Sequence, residues 1–397
     1  ELWNADGETL GSGLEPYLVE SATRGHHAVL RIYIDYPGRP SGLPDYLGEQ
    51  VSCSTYTEYG GGCSPDYDDP DLVQAMLGLI DSMGEAYDGD SRLGFLQVGL
   101  MGFWGEWHTY PHTDWFPSED TQKAVLNAFD TAFENTQMQV RRAAVNSVDL
   151  RMGFHDDSFA YSTIGDESWF FVPGLETAGA NQRWEEVSIG GELRPELQPL
   201  VFSEDYQLGA FAQDVSECIE ATHASYLLNY YAFNGDGQGY PDGDRTRAEK
   251  AALKLGYQFE LSQAELSVSG LHEGTAEVAV SFELIQAGVA PFYYPLTVTV
   301  ESPHLEDDVG DTGDLRSLLP GQSRTVEVDL GRVSIELLKE PLYLRLDSPM
   351  LQAGQQILLA TATPWSEDQS PTGLQWDFAC EADEVIYGLG DMLEKTA

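Results

Sequence analysis

Over roughly the first 257 residues the apolar positions follow two spacings in turn. Apolar residues three or four apart predict helices over residues 14–24, 69–87, 118–136, 214–223 and 246–257. The second of these opens with Asp69 as N-cap and Pro70 at the first helical position, and the third opens on the capping residue Ser118. Denser apolar runs predict strands over 27–35, 94–104, 139–145, 150–155, 185–192 and 225–233. Pro37 ends the first, and a loop rich in Gly, Pro and Asp follows it to about residue 69.

Strand and helix in alternation, with apolar strands and amphipathic helices, predict an α/β fold: a parallel sheet with helices outside and, at this length, a (β/α)8 TIM-type barrel. The six strands leave two to be found, and the expectation is that this chain is a fragment lacking the first two. A doubly wound open sheet fits less well, because no Gly-rich phosphate loop follows any strand. After residue 257 the period changes to two. FELSQAELSVSG, GTAEVAVSFELIQAG, YYPLTVTVESP, SRTVEVDLGRV, LYLRLDSP and ILLATA alternate apolar and polar residues between turns, as in an antiparallel β-sandwich. Residues 1–257 are therefore expected to form the barrel and 258–397 the sandwich.

Charge narrows the partners. Lys and Arg number 20 against 66 Asp and Glu, a net charge of −46. Such a surface repels phosphate, which excludes nucleic acid and an anionic membrane as partners, and suits a high-salt solvent. No apolar run is long enough to span a bilayer. The chain shows neither an initial Met nor a signal peptide and reads as a mature or clipped piece. Cys53 and Cys63 flank the Gly- and Tyr-rich loop STYTEYGGG, a spacing that suits a disulfide and a secreted or periplasmic location; two free thiols are the alternative. No CxxC or HxxxH spacing supports zinc, and no cofactor is expected.

In a parallel barrel the C-terminal strand ends share one cleft. Collected there are Arg31, Tyr33 and Asp35, then Trp104, Glu106, Trp107 and His108, then His155, Asp156 and Asp157, then Glu192 after Gly190-Gly191, and finally Asn229, Tyr230 and Tyr231. Paired carboxylates across a cleft are what glycoside hydrolysis requires. Glu106, between two tryptophans, suits the acid, because burial disfavours its charge. Glu192 suits the nucleophile or base, with the two glycines letting a substrate approach closely. Aromatic faces would stack on sugar rings, while Arg31, Tyr33, Asp35, His108, His155, Asp156, Asp157, Asn229 and Tyr230 offer partners for hydroxyls. Trp104 and Trp107, if they alternate on a strand, cannot both face the cleft. One of Asp156 and Asp157 is expected to bind substrate and the other to cap the following helix. Glu204 is a rival carboxylate further from its strand end. His155 and His223 read first as structural histidines. Residues 234–244 have the composition of a calcium loop but lack the twelfth-position Glu of an EF-hand.

GFWGEWH, MGFHDDSF, SIGGE and HASYLLNYY, followed by a sandwich containing GVAPFYYP, resemble the bacterial domain-of-unknown-function family 4832 from about residue 20 onward. That family is similar to barrel glycoside hydrolases and carries a C-terminal sandwich. The resemblance implies that the strands ending in GFWGEW and SIGGE are the fourth and seventh of the barrel. It places the acid/base on Glu106 and the nucleophile on Glu192, with Gly105 where the clan has Asn. Two other readings share the barrel: a carbohydrate-binding protein without catalysis, and a metal-dependent hydrolase using His108, His155, Asp156 and His223.

Overall fold

A computed structural model describes residues 14–233, 239–302, 305, 309–311, 313–316, 318–339 and 342–360, together with the strands Thr372–Leu374 and Val385–Gly388. The chain divides into two compact units, the first ending at Leu255 and the second starting at Gly256.

The first unit runs α1 (Glu15–Thr23), β1 (Ala28–Asp35), α2 (Asp45–Gly48), the hairpin β2 (Cys53–Tyr56) and β3 (Gly62–Pro65), α3 (Pro70–Tyr87), β4 (Leu93–Phe103), α4 (Glu119–Ala132), β5 (Met138–Val140), β6 (Met152–Phe159), α5 (Phe171–Thr177), β7 (Ile189–Leu193), α6 (Val215–Thr222), β8 (Ala224–Leu228) and α7 (Asp242–Ala252). Caps fix the helix starts: Asp69 accepts from the N–H groups of Asp71 and Leu72, Ser118 from Thr121, and Asp214 from Glu217. Leu72, Met76, Leu79, Ile80 and Met83 form the buried stripe of α3, and Val125, Leu126 and Phe129 that of α4.

β1, β4, β5, β6, β7 and β8 pair in parallel and in chain order. A doubly wound sheet reverses its strand order at a switch point, and this one does not. It is also curled. β4 and β8 are four strand spacings apart, about 19 Å in a flat sheet, yet Gln97 on β4 donates to the Tyr226 hydroxyl on β8 at 2.8 Å. Tyr226 in turn donates to Gln139 on β5 at 2.6 Å. The unit is thus the six-stranded part of a TIM-type barrel, with these polar side chains meeting in its interior.

Element boundaries depart from expectation where the polar chemistry lies. The strand expected over 139–145 stops at Val140, so Arg141 and Arg142 leave the sheet. The strand expected over 150–155 runs on to Phe159. That expected over 225–233 ends at Leu228, and Tyr230–Phe233 is a 3-10 turn. The short α5 and the β2–β3 hairpin form in stretches where the apolar spacing predicts no element. Cys53 and Cys63 are joined in a disulfide across that hairpin, with Cα atoms 5.5 Å apart. No described helix is long and apolar enough to cross a membrane.

In the second unit the period-two segments form two four-stranded antiparallel sheets. One orders β13 (Ser323–Ser334), β10 (Thr275–Gln286), β9 (Phe259–His272) and β16 (Val385–Gly388); the other orders β12 (Val309–Asp311), β11 (Thr297–Glu301), β14 (Leu342–Asp347) and β15 (Thr372–Leu374). Val280, Phe282 and Leu284 from the first sheet share one buried core with Val298, Val300 and Leu344 from the second, which makes the unit a β-sandwich.

Candidate active-site cleft

A cleft of about 1790 Å³ opens at the C-terminal ends of the parallel strands. Its centre depends on how β4 ends. After Phe103 the chain folds back on itself. Phe103 N–H donates to the His108 carbonyl at 2.8 Å, Trp107 N–H to Met101 at 3.1 Å, and Trp104 N–H to Asp35 at 2.9 Å. Gly102, Trp104, Gly105 and Trp107 all hold positive φ. Tryptophan is costly there, so the loop is strained and held by these bonds. Trp104 and Trp107 are therefore not alternating strand residues, and both line the cleft. Trp107 is buried and donates its Nε1–H to the Gly99 carbonyl at 3.3 Å.

The fold-back delivers Glu106 onto Arg31 from β1. Arg31 Nη1 donates to Glu106 Oε1 at 2.7 Å, its Nε donates to Gln97 at 2.5 Å, and its Nη2 lies 3.7 Å from Glu192 Oε2. One planar guanidinium thus spans both expected carboxylates, so those two oxygens are no more than about 9 Å apart. Asp157 is the third acidic group, 2.5 Å from Arg141 Nε. Burial, then the charge and hydrogen bond of Asp157, hold the Glu106 carboxyl well above its ordinary value. Asp157 goes the other way: Arg141 and the Glu106 hydrogen bond outweigh its burial and keep it ionised. Burial and Asp157 thus favour the protonated form of Glu106, against the opposing charges of Arg31 and Arg141. Burial also raises Glu192, and Arg31 opposes that shift.

His108 accepts the Tyr110 N–H on Nδ1 at 3.3 Å, so a neutral ring carries its proton on Nε2, which lies 3.5 Å from Glu106 Oε2. Burial, followed by the charge of Arg141, pushes its pKa down to about 3, so it stays neutral.

Other expected residues are placed differently. Tyr33 and Tyr230 line the cleft, whereas Asp35 lies beneath it, 2 % exposed, and accepts from Tyr56 at 2.6 Å. The alternation of β1 sends Arg31 and Tyr33 inward, and Asp35 is turned off that row by irregular register with β4. His155 is fully buried and is not among the lining residues. Asp156 accepts from Ser158 N–H at 2.9 Å and Thr163 Oγ1 at 2.6 Å, so it organises the turn after β6 rather than capping a helix. Its burial raises its pKa to about 6. Asn229 accepts from Tyr240 at 3.2 Å and is not itself a lining residue. Glu204 is exposed and pairs with Arg247 at 3.0 Å, which removes it as a rival. The Gly190-Gly191 pair serves packing instead of substrate approach: a Cβ on Gly190 would sit 2.4 Å from the Tyr226 ring.

The metal quartet is not assembled. His155 is buried and does not line the cleft, Asp156 is engaged as described, and His223 caps α6 and stacks on Trp184 with centroids 3.5 Å apart. Ligand atoms of Glu106, His108 and Asp157 do lie within 4.8 Å of one another. A cation among them would face Arg31 and Arg141, which already pair with those carboxylates. Of residues 234–244, the part 234–238 lies outside the described residues.

Sequence reading missed Gln97, Arg141, Arg142 and Tyr226, all of which line the cleft. The available signal was a Gln inside the apolar run of β4 and an Arg-Arg pair inside a run taken for a buried strand, both costly unless partnered.

No protein-family model matches this chain. No curated protein matches it either. Among solved structures it is similar to endo-glycoceramidase II from Rhodococcus sp., at 13% identity and a TM-score of 0.39, covering 81% of this chain and 83% of that one. It is similar to the GH5_18 protein of Bifidobacterium longum subsp. longum in complex with Manb1-4GlcNAc, at 14% identity and a TM-score of 0.36, covering 62% and 65%. A third is the alpha-amylase from Geobacillus thermoleovorans complexed with acarbose, at 11% identity and a TM-score of 0.32, covering 82% and 80%.

Proposed function

We propose that this chain is a glycoside hydrolase in which Glu106 protonates the leaving oxygen and Glu192 attacks the anomeric carbon or activates water. The observation that carries this reading is Arg31, which holds two carboxyl groups, Glu106 and Glu192, at one cleft. Their spacing of at most about 9 Å admits both the roughly 5–5.5 Å of retaining enzymes and the wider gap of inverting ones. Asp157 favours the protonated form of the acid, and Glu106, once it has given its proton to the leaving oxygen, regains one from the incoming water. Trp104 and Tyr230 offer faces for sugar stacking. Membership of the bacterial domain-of-unknown-function family 4832 belongs to the same proposal, as does work in an oxidising, secreted or periplasmic compartment, which the Cys53–Cys63 disulfide supports.

The test is a glycan panel assayed for both binding and hydrolysis with the full chain and with Glu106→Gln. The substitution mimics the protonated acid in shape, so folding should persist while turnover falls about 10²- to 10⁴-fold. Unchanged turnover removes Glu106 from the mechanism. Binding without any turnover in the parent chain supports a carbohydrate-binding protein instead.

A further inference from the structure

The cleft gathers arginines beside the carboxylates of Glu106, Asp156, Asp157, Glu192 and Glu196. The whole sequence holds 15 arginines and 66 acidic residues, yet Arg31, Arg141, Arg142 and Arg194 all line this one cleft. Two of them are committed. Arg31 is shared among Gln97, Glu106 and Glu192. Arg194 pairs with Glu196 at 3.0 Å and lies over the Tyr161 ring at 3.9 Å.

The other two are not used up. Arg141 reaches Asp157 through Nε, but its Nη1 is buried with no hydrogen-bond partner among the described residues. Arg142, the next residue, is solvent-reachable on the cleft wall, and no ion pair to it forms among the described residues. The crowding of the cleft walls and the like charge of Arg141 both disfavour its charged form. Two adjacent guanidinium groups repel unless an anion lies between them or over them. Asp157 answers Arg141, and Asp157 and Asp156 act on Arg142 through charge alone, so among the described side chains none forms an ion pair with Arg142.

We propose that the glycan bound here carries an oxyanion, a ring carboxylate or a sulfate, and that Arg142 receives it, with the charge of the neighbouring Arg141 behind it. Guanidinium forks match such groups in geometry as well as charge. The placement fits a sugar seated at the acid: Arg141 is bonded to Asp157, which is hydrogen-bonded to Glu106. The oxyanion would therefore lie on the reacting ring or its immediate neighbour. An overall charge of −46 would repel such a glycan at long range, and the local cations offset that repulsion at the cleft. The inference rests on reading the cleft as a sugar site.

The test is equilibrium binding, at one fixed ionic strength, of uronate-containing oligosaccharides, their carboxyl-reduced neutral counterparts and sulfated oligosaccharides. The proteins are the full chain, Arg142→Gln, and Arg24→Gln as a surface control for loss of one positive charge. The expected result is tighter binding of one anionic class than of its neutral counterpart. That preference should fall about tenfold in Arg142→Gln and persist in Arg24→Gln. Which class is preferred identifies carboxylate or sulfate. Equal or tighter binding of neutral glycans, a preference indifferent to Arg142, or no binding of any anionic glycan overturns the proposal. An Arg142-dependent preference without hydrolysis leaves the inference standing and removes the hydrolase reading; hydrolysis confined to neutral glycans does the reverse.

Discussion

Arg31 Nη2 lies 3.7 Å from Glu192 Oε2, although β1 and β7 are four strand spacings apart in the sheet. A flat sheet would separate them by about 19 Å. The curl of the parallel sheet is what makes one guanidinium a common partner for Glu192 and Glu106.

Arg31→Lys tests that relationship. A lysine keeps the charge, but its compact ammonium cannot bond Gln97, Glu106 and Glu192 together. On a glycan the full chain hydrolyses, kcat/KM should fall at least about tenfold, or about 1.4 kcal/mol of transition-state stabilisation. Full activity in Arg31→Lys would show that the fork is dispensable.

Asp157→Asn should move the basic limb of the pH–rate profile. Activity requires a protonated Glu106, so it declines as pH rises through the pKa of the Glu106–Asp157 pair. Removing the Asp157 charge, and leaving Arg141 unopposed, lowers the Glu106 pKa; the limb then shifts to lower pH. Losing the partner of a buried arginine should also cost roughly 3–5 kcal/mol in denaturant unfolding. A limb that stays in place would mean another group sets it.

Asp156→Asn should change how stability depends on pH. Burial raises Asp156 from 3.8 to about 6. Between those values the folded chain keeps a proton that the unfolded chain releases. The contribution of this group is therefore fully present below pH about 4 and is lost as pH rises towards 6. The loss is up to about 3 kcal/mol. Asparagine retains an oxygen for the Ser158 N–H and can turn its Nδ2–H donor to Thr163 Oγ1, but it does not titrate, so the urea midpoint should fall less steeply across pH 4–6 than in the parent.

Reduction of Cys53–Cys63, or replacement of both by Ser, should lower stability by about 3 kcal/mol for a loop of 10-residue separation. The hairpin holds Tyr56, which donates to Asp35 at 2.6 Å. Its connecting turn holds Tyr59, whose ring sits 5.0 Å from Trp104. KM should therefore rise alongside the loss of stability, and a KM unmoved by reduction would separate the hairpin from the cleft.

The helices, the order of parallel strands and the change to period-two strands after residue 257 were legible in the sequence, because hydrophobic periodicity records which face each element buries. Glu106 and Glu192 were legible for a related reason: strand ends share a rim. What periodicity cannot record is curvature and where a polar residue leaves a ladder. Asp35 faces Tyr56 because β1 slips register against β4, and Arg141 and Arg142 enter the cleft because β5 stops after three residues. Asp157 became the partner of Glu106 because the fold-back after Phe103 brought a β4 loop over the end of β6. The sequence by itself determined which elements form and which faces they bury, since both depend on neighbours along the chain. Only the tertiary structure decided which carboxylates share Arg31, because that depends on how far the sheet curls.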